Sequence, residues 1–264
     1  MTGLRGTFLI LVQAVLLPGT FVVTYFMATT SDHVEKTFPY IRVTFFAMPP
    51  KLSSQPLPFL ECYDKNTPNY DDCLRAFVSV YCRWKIVSNH CMGGRAIPHL
   101  NNCGLLLGGL AALGTLLVAC FQETNQITLH LIGAFLAFIL MCGYMWLHAG
   151  LTHSVATLPG HTRWLGHLRL GLAAAATASV IVCSSLATVA ESQKPGNHSR
   201  TSDPGTGKWQ SWMKAYAIHV VSASFEWALA GLVSIYFLTV CSEFRHVTVG
   251  MPVVTPVPSA KERN

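Results

Sequence analysis

His219 and Glu226 lie inside one apolar run, Tyr216 to Val240, which reads YAIHVVSASFEWALAGLVSIYFLTV. An imidazole and a carboxylate at this spacing fall on one face of a helix, with Ser222 and Ala223 between them. Such a pair can hold a lipid headgroup or an ion. It can also respond to pH, because histidine titrates near pH 6.5 and burial shifts it. The run is long enough to cross a bilayer, for which about 20 apolar residues suffice. An ionisable side chain at that depth costs several kcal/mol unless it faces protein or water. The face carrying His219 and Glu226 is therefore expected to point toward other helices, as part of a polar seam inside a helical bundle.

Composition supports such a bundle. Of 264 residues, 51% are hydrophobic and 11% charged, and the mean hydropathy is +0.40. A soluble domain carries about 25% charged residues, so the expected class is an all-α, multi-pass transmembrane bundle. The net charge of +6 is scattered between apolar runs, as positive residues at cytosolic helix ends would be. No nucleic-acid partner is expected. Nine cysteines without a C-x-x-C pair make neither a zinc ribbon nor a dense disulfide framework.

Six spans are expected, near residues 7–28, 71–88, 103–121, 127–150, 168–190 and 215–241. The first contains Pro18-Gly19 and follows Arg5, which favours a cytosolic N-terminus. Residues 29–70 form a Pro-rich extracytosolic loop, in which Cys62 is a disulfide candidate for Cys73, with two free thiols as the alternative. The second span is the weak one. Its apolar core, Leu74 to Val87, is short and carries Arg75, Arg83 and Lys85. It crosses only by thinning the bilayer, by snorkelling its charges, or by being shielded in the bundle. Gly104, Gly108 and Gly109 give the third span a small-xxx-small pattern that permits close helix contact. Residues 191–214 form a second extracytosolic loop with Asn197-His198-Ser199, a glycosylation pattern. Residues 242–264 read as a disordered cytosolic tail. Counting the weak segment puts both termini and the basic loops in the cytosol and Asn197 outside.

In that topology Gln122 and Glu123 end the third span and His130 begins the fourth. His219 enters the sixth from the same side, and Glu226 lies roughly 16 Å in at 1.5 Å per residue. These five residues form the expected intramembrane seam, either a headgroup or ion site or a structural cluster that fixes helix packing. His90, Cys91, His99 and Cys103 match no metal-site spacing, and no metal or cofactor is expected. His153, His161 and His167 read as loop residues, and Cys241 at the cytosolic edge is a candidate for S-palmitoylation. No nucleophile–base motif or phosphate loop is present, so no catalytic residue is assigned.

Several stretches resemble one family. They are His33 with Phe38-Pro39-Tyr40-Ile41, Arg83-Trp84-Lys85-Ile86-Val87, and Val118 to Glu123 followed by His130 and Gly133-Ala134. The last span adds His219 to Ala223, Glu226-Trp227, Tyr236 to Thr239 and Phe244. Together they resemble the DRAM proteins, the damage-regulated autophagy modulators, within the FRAG/DRAM/Sfk superfamily. The resemblance implies six spans and cytosolic termini. It also implies a non-enzymatic membrane protein of lysosomes or endosomes that promotes autophagy with lipids and membrane or autophagy proteins as partners. Sfk-type relatives imply an alternative, phosphoinositide-kinase recruitment and lipid organisation at the plasma membrane. FRAG-type relatives imply lipid remodelling. The chain departs from the family pattern at Arg42-Val43, where a small polar residue and an acid are usual. It departs again in the long insertion from Thr44 to Asp72, and its tail shows no clear sorting signal.

Overall fold

The computed structural model describes residues 4–30, 40–41, 68–90, 96–121, 126–155, 157–193, 209, 211–245 and 248–249. Six helices make up nearly all of them. They are α1 (Gly6–Thr30), α2 (Pro68–His90), α3 (Ala96–Cys120), α4 (Ile127–Ser154), α5 (Arg163–Ser192) and α6 (Tyr216–Phe244). Helices are what such apolar runs form in hydrocarbon, where every backbone N–H and C=O must be bonded within the segment. Helices α3 to α6 have the length and apolar composition to cross a membrane. Helix α1 has no charged residue and runs through Pro18.

Each helix packs on its neighbours in sequence, and α6 packs back on α1, closing a ring. Neighbours are antiparallel. Ile41, beyond the end of α1, reaches Glu226 in the first half of α6. Arg83 near the end of α2 and Arg169 near the start of α5 both reach Glu243 at the end of α6. A two-residue antiparallel strand pair, β1 (Leu4–Arg5) with β2 (Thr248–Val249), sets Leu4 opposite Val249. It joins the segments flanking α1 and α6 at one end of the ring, the terminal end. The opposite end, where Tyr40 and Ile41 lie, is the mouth.

The weak second segment is a full helix of 23 residues. Its Arg83 side chain is completely buried, as shielding of the charge inside the bundle requires. Large apolar residues on the outer faces, among them Leu106, Leu113, Ile181 and Val221, remain exposed, as lipid-facing positions should.

The glycines divide differently from the expectation. A Cβ on Gly104 would lie 2.7 Å from His148 Nε2, and one on Gly108 would lie 2.7 Å from Val80 Cγ1. These two glycines make room for side chains. The backbones meet closest at Gly114 and Gly133, where a Cβ would lie 2.6 Å from Leu136 Cβ and 2.8 Å from Leu117 Cβ respectively. Just beyond Gly133, α4 passes through a π turn at Leu136–Leu140.

Candidate functional site

At the mouth, two loop segments fold into the bundle. Tyr40 and Ile41 are 3% and 5% exposed. The Ile41 N–H donates to Glu226 Oε2 at 2.9 Å. The Tyr40 and His219 rings meet edge-on at 4.7 Å, and Trp209 stacks on His219 at 4.6 Å. Histidine here is a flat, buried packing surface for two aromatics, and the carboxylate below it pins the backbone of the loop. Hydrogen bonds to a charged acceptor contribute about 1.5–3 kcal/mol, enough to hold a short segment in place. Trp227 packs edge-on against Tyr25 at 6.0 Å.

Beneath this cap lies a cavity of about 360 Å³ bounded by all six helices, with Gln13, Thr115, His130 and Glu226 among its polar lining. Its remaining walls are largely apolar, including Ala112, Ala134, Ala137, Ala187, Ala230 and Phe237. His130 is buried, and its Nδ1 lies 2.8 Å from the Phe121 carbonyl, tying the start of α4 to the end of α3. Gln13 accepts from the Ser79 hydroxyl at 2.6 Å.

The seam thus comes together in part. His130 and Glu226 line one cavity, and His219 sits in the cap above it. Gln122 and Glu123 lie outside the described residues, as do Asn197, Cys62 and Cys91. Cys73 is buried at the start of α2 and Cys241 is buried in the core. Among the described residues no three His, Cys, Asp or Glu side chains are grouped to hold a metal ion.

A second polar centre fills the terminal half of the ring. Glu243, 1% exposed, is paired with Arg83 and lies 2.6 Å from Arg169 Nη1 and 3.1 Å from His161 Nε2. Arg83 Nε also donates to His148 Nδ1 at 3.0 Å. Arg169 donates to the Thr152 hydroxyl at 2.7 Å, the Thr239 hydroxyl at 3.0 Å and the Thr239 carbonyl at 2.9 Å. Three helices, α2, α5 and α6, and the α4–α5 loop are tied through one carboxylate, and the two arginines add α4 through His148 and Thr152. That loop turns at Gly160, whose φ of 89° suits glycine, and a Cβ there would lie 2.6 Å from the Ser242 carbonyl oxygen. Its His161 has Nδ1 2.7 Å from the Val155 carbonyl. Burial, with the Arg83 and Arg169 charges acting in the same sense, pushes the His161 imidazole down, and the Val155 carbonyl and the Glu243 carboxylate pull the other way.

Sequence reasoning set Arg83 in the short second span and His161 in a loop, and gave Glu243 no role. The available signal was compositional: Glu243 is an acid in the last turn of the last span, at the end where the basic residues gather.

The sequence belongs to a known group. The family model described as Frag1/DRAM/Sfk1/Cwh43P N-terminal domain matches residues 72–247. DNA damage-regulated autophagy modulator protein 1 of Homo sapiens is 30% identical over 86% of this chain and 86% of its own length. DNA damage-regulated autophagy modulator protein 2 of Rattus norvegicus is 29% identical over 87% of this chain and 80% of its own. Modulator of macroautophagy TMEM150B-A of Xenopus laevis is 41% identical over 31% of this chain and 36% of its own. No solved structure matches the chain significantly. The Tyr40-Ile41 cap, Glu226 and the cluster around Glu243 are held within an integral membrane helical bundle, and the chain belongs to the Frag1/DRAM/Sfk1 family.

Proposed function

We propose that the chain is a non-enzymatic, multi-pass membrane protein that modulates autophagy at lysosomal or endosomal membranes, with its termini in the cytosol. The observation that carries this reading is the match to proteins named as autophagy modulators along 86–87% of the chain. The geometry agrees with a role exerted through lipids or partner proteins. The buried ionisable groups at the terminal end are tied to one another, and the mouth is covered by Tyr40 and Ile41. Deleting the gene in cultured cells is expected to lower autophagic flux, read as lysosome-dependent turnover of a tandem-fluorescent autophagosome reporter. Unchanged flux and unchanged lysosome number would overturn the reading. A lipid-handling role is favoured by the cavity beneath Glu226.

A further inference from the structure

We propose that the groove between α2 and α3, on the outer face of the bundle, holds a phospholipid with an anionic head. A tail lies along the groove, and the head meets Lys85 at the terminal end. This inference concerns the bundle itself and stands whether or not the chain acts in autophagy.

The first argument is shape. The groove has a volume of about 650 Å³, within the range of roughly 300–1,000 Å³ typical of small-molecule sites. One wall is Leu74, Phe77 and Tyr81 of α2, which share a helix face and are each about half exposed. The other wall runs along α3 from Asn102 to Leu116, about 21 Å at 1.5 Å per residue. The hydrocarbon of one leaflet is about 15 Å deep, so the groove takes a tail through that depth. Gly109 keeps its floor open. A Cβ on Gly109 would lie 3.5 Å from Phe77 Cε2, an ordinary contact, whereas one on Gly108 would lie 2.7 Å from Val80 Cγ1. The approach of the two helices needs Gly108. What the missing side chain of Gly109 provides is space in the groove.

The second argument is charge. Hydrocarbon is as good a surrounding for a tail as an apolar groove is, so the head must supply the selection. At the terminal end of the groove the Trp84 indole N–H donates to Asn102 Oδ1 at 2.8 Å, and Asn101 Nδ2 donates to the Trp84 carbonyl at 2.9 Å. These bonds fix the indole, and Lys85 Nζ lies 5.8 Å from its centroid. Lys85 follows Tyr81 by one turn of α2, so it stands over the end of the groove. It is exposed and has no ion pair among the described residues. Its flexible stem carries the ammonium to the headgroup level. Arg163 and Arg245 are also exposed at the terminal end, whereas the acid described there, Glu243, is buried and already paired. This end of the bundle is positive, which draws anionic lipids, and Lys85 is the cation that stands at the groove. A head without net charge would leave its ammonium to water.

The test uses the purified full-length chain in nanodiscs with phosphatidylserine or phosphatidylcholine probes that carry the same photoactivatable, clickable acyl chain. The expected result is labelling of α2 and α3 peptides by the phosphatidylserine probe about fivefold above the phosphatidylcholine probe, the preference one basic residue near a membrane surface gives. Peptides of α5 supply the background of ordinary lipid contact. Gly109→Leu fills the groove and should bring labelling of α2 and α3 down to that background. Lys85→Gln changes an exposed side chain and should remove the preference between the two probes while leaving the labelled peptides the same. If Gly109→Leu does not fold, Lys85→Gln and the comparison of probes decide alone. Equal labelling by the two probes in the unaltered chain, a preference that survives Lys85→Gln, or labelling that survives Gly109→Leu would overturn the proposal. So would displacement of the phosphatidylserine probe by cholesterol and not by phosphatidylserine, which would mark a sterol groove.

Discussion

Removing the Glu243 carboxylate would leave Arg83 and Arg169 buried together without the acid they share. Breaking a buried pair by deleting one partner costs about 3–5 kcal/mol. Glu243→Gln is therefore expected to lower the yield of folded protein and the midpoint of thermal unfolding in detergent. Lys85→Gln, on an exposed residue two positions from Arg83, should change little. If the two variants melt alike, the cluster does not hold the ring together. These residues also mark the limit of what the sequence reveals. His219 and Glu226 stand out because they interrupt an apolar run, and their inward direction follows from the cost of exposing them to lipid. Arg83, Arg169 and Glu243 sit near helix ends, where the same residue types are usually solvated. Only the packing of four helices at one level shows that they are buried.

At the scale of the helix, the decisive contact is between α3 and α4. Gly114 and Gly133 let the two backbones touch, and the π turn follows at once. Gly114→Leu should push α4 outward and destabilise the bundle by the 1–3 kcal/mol typical of overpacking. Gly150, with nothing within 4 Å of where a Cβ would stand, is the counterpart. Gly150→Ala should be neutral or stabilise by about 0.5–1 kcal/mol, the usual difference between the two residues inside a helix. Thermal unfolding of both variants checks the pair, and equal effects would contradict the assigned contact. The existence and rough extent of most helices could be read from apolar run length. The close contact could not, because small residues are spread along α3 and the pattern at Gly104, Gly108 and Gly109 looks as good as Gly114 on its own. The interruption of α4 by a π turn has no signal in hydropathy, since the whole stretch from Leu136 to Leu140 is apolar.

For the whole molecule, the question is how many times the chain crosses the membrane. Run length alone leaves this open at α2, whose core from Leu74 to Val87 is short and basic. The strand pair between Leu4–Arg5 and Thr248–Val249 bears on it directly. Segments on either side of the helical ring can pair only if they emerge on the same side, so the number of crossings is even. Helices α3 to α6 are long and apolar enough to cross; if α1 crosses with them, an even number makes α2 the expected sixth crossing. This geometric argument does not depend on the positive-inside rule, and the two agree. It predicts that tags on the two termini share one compartment, and that the loop holding Asn197 faces the other. Tags at both ends should be reached by antibody after selective permeabilisation of the plasma membrane. The chain should also show a glycosidase-sensitive shift in mobility that disappears in Asn197→Gln. Tags on opposite sides would mean that α2 does not cross. Arg83 would then lie away from the end of α6, and neither its pairing with Glu243 nor the closed ring would survive.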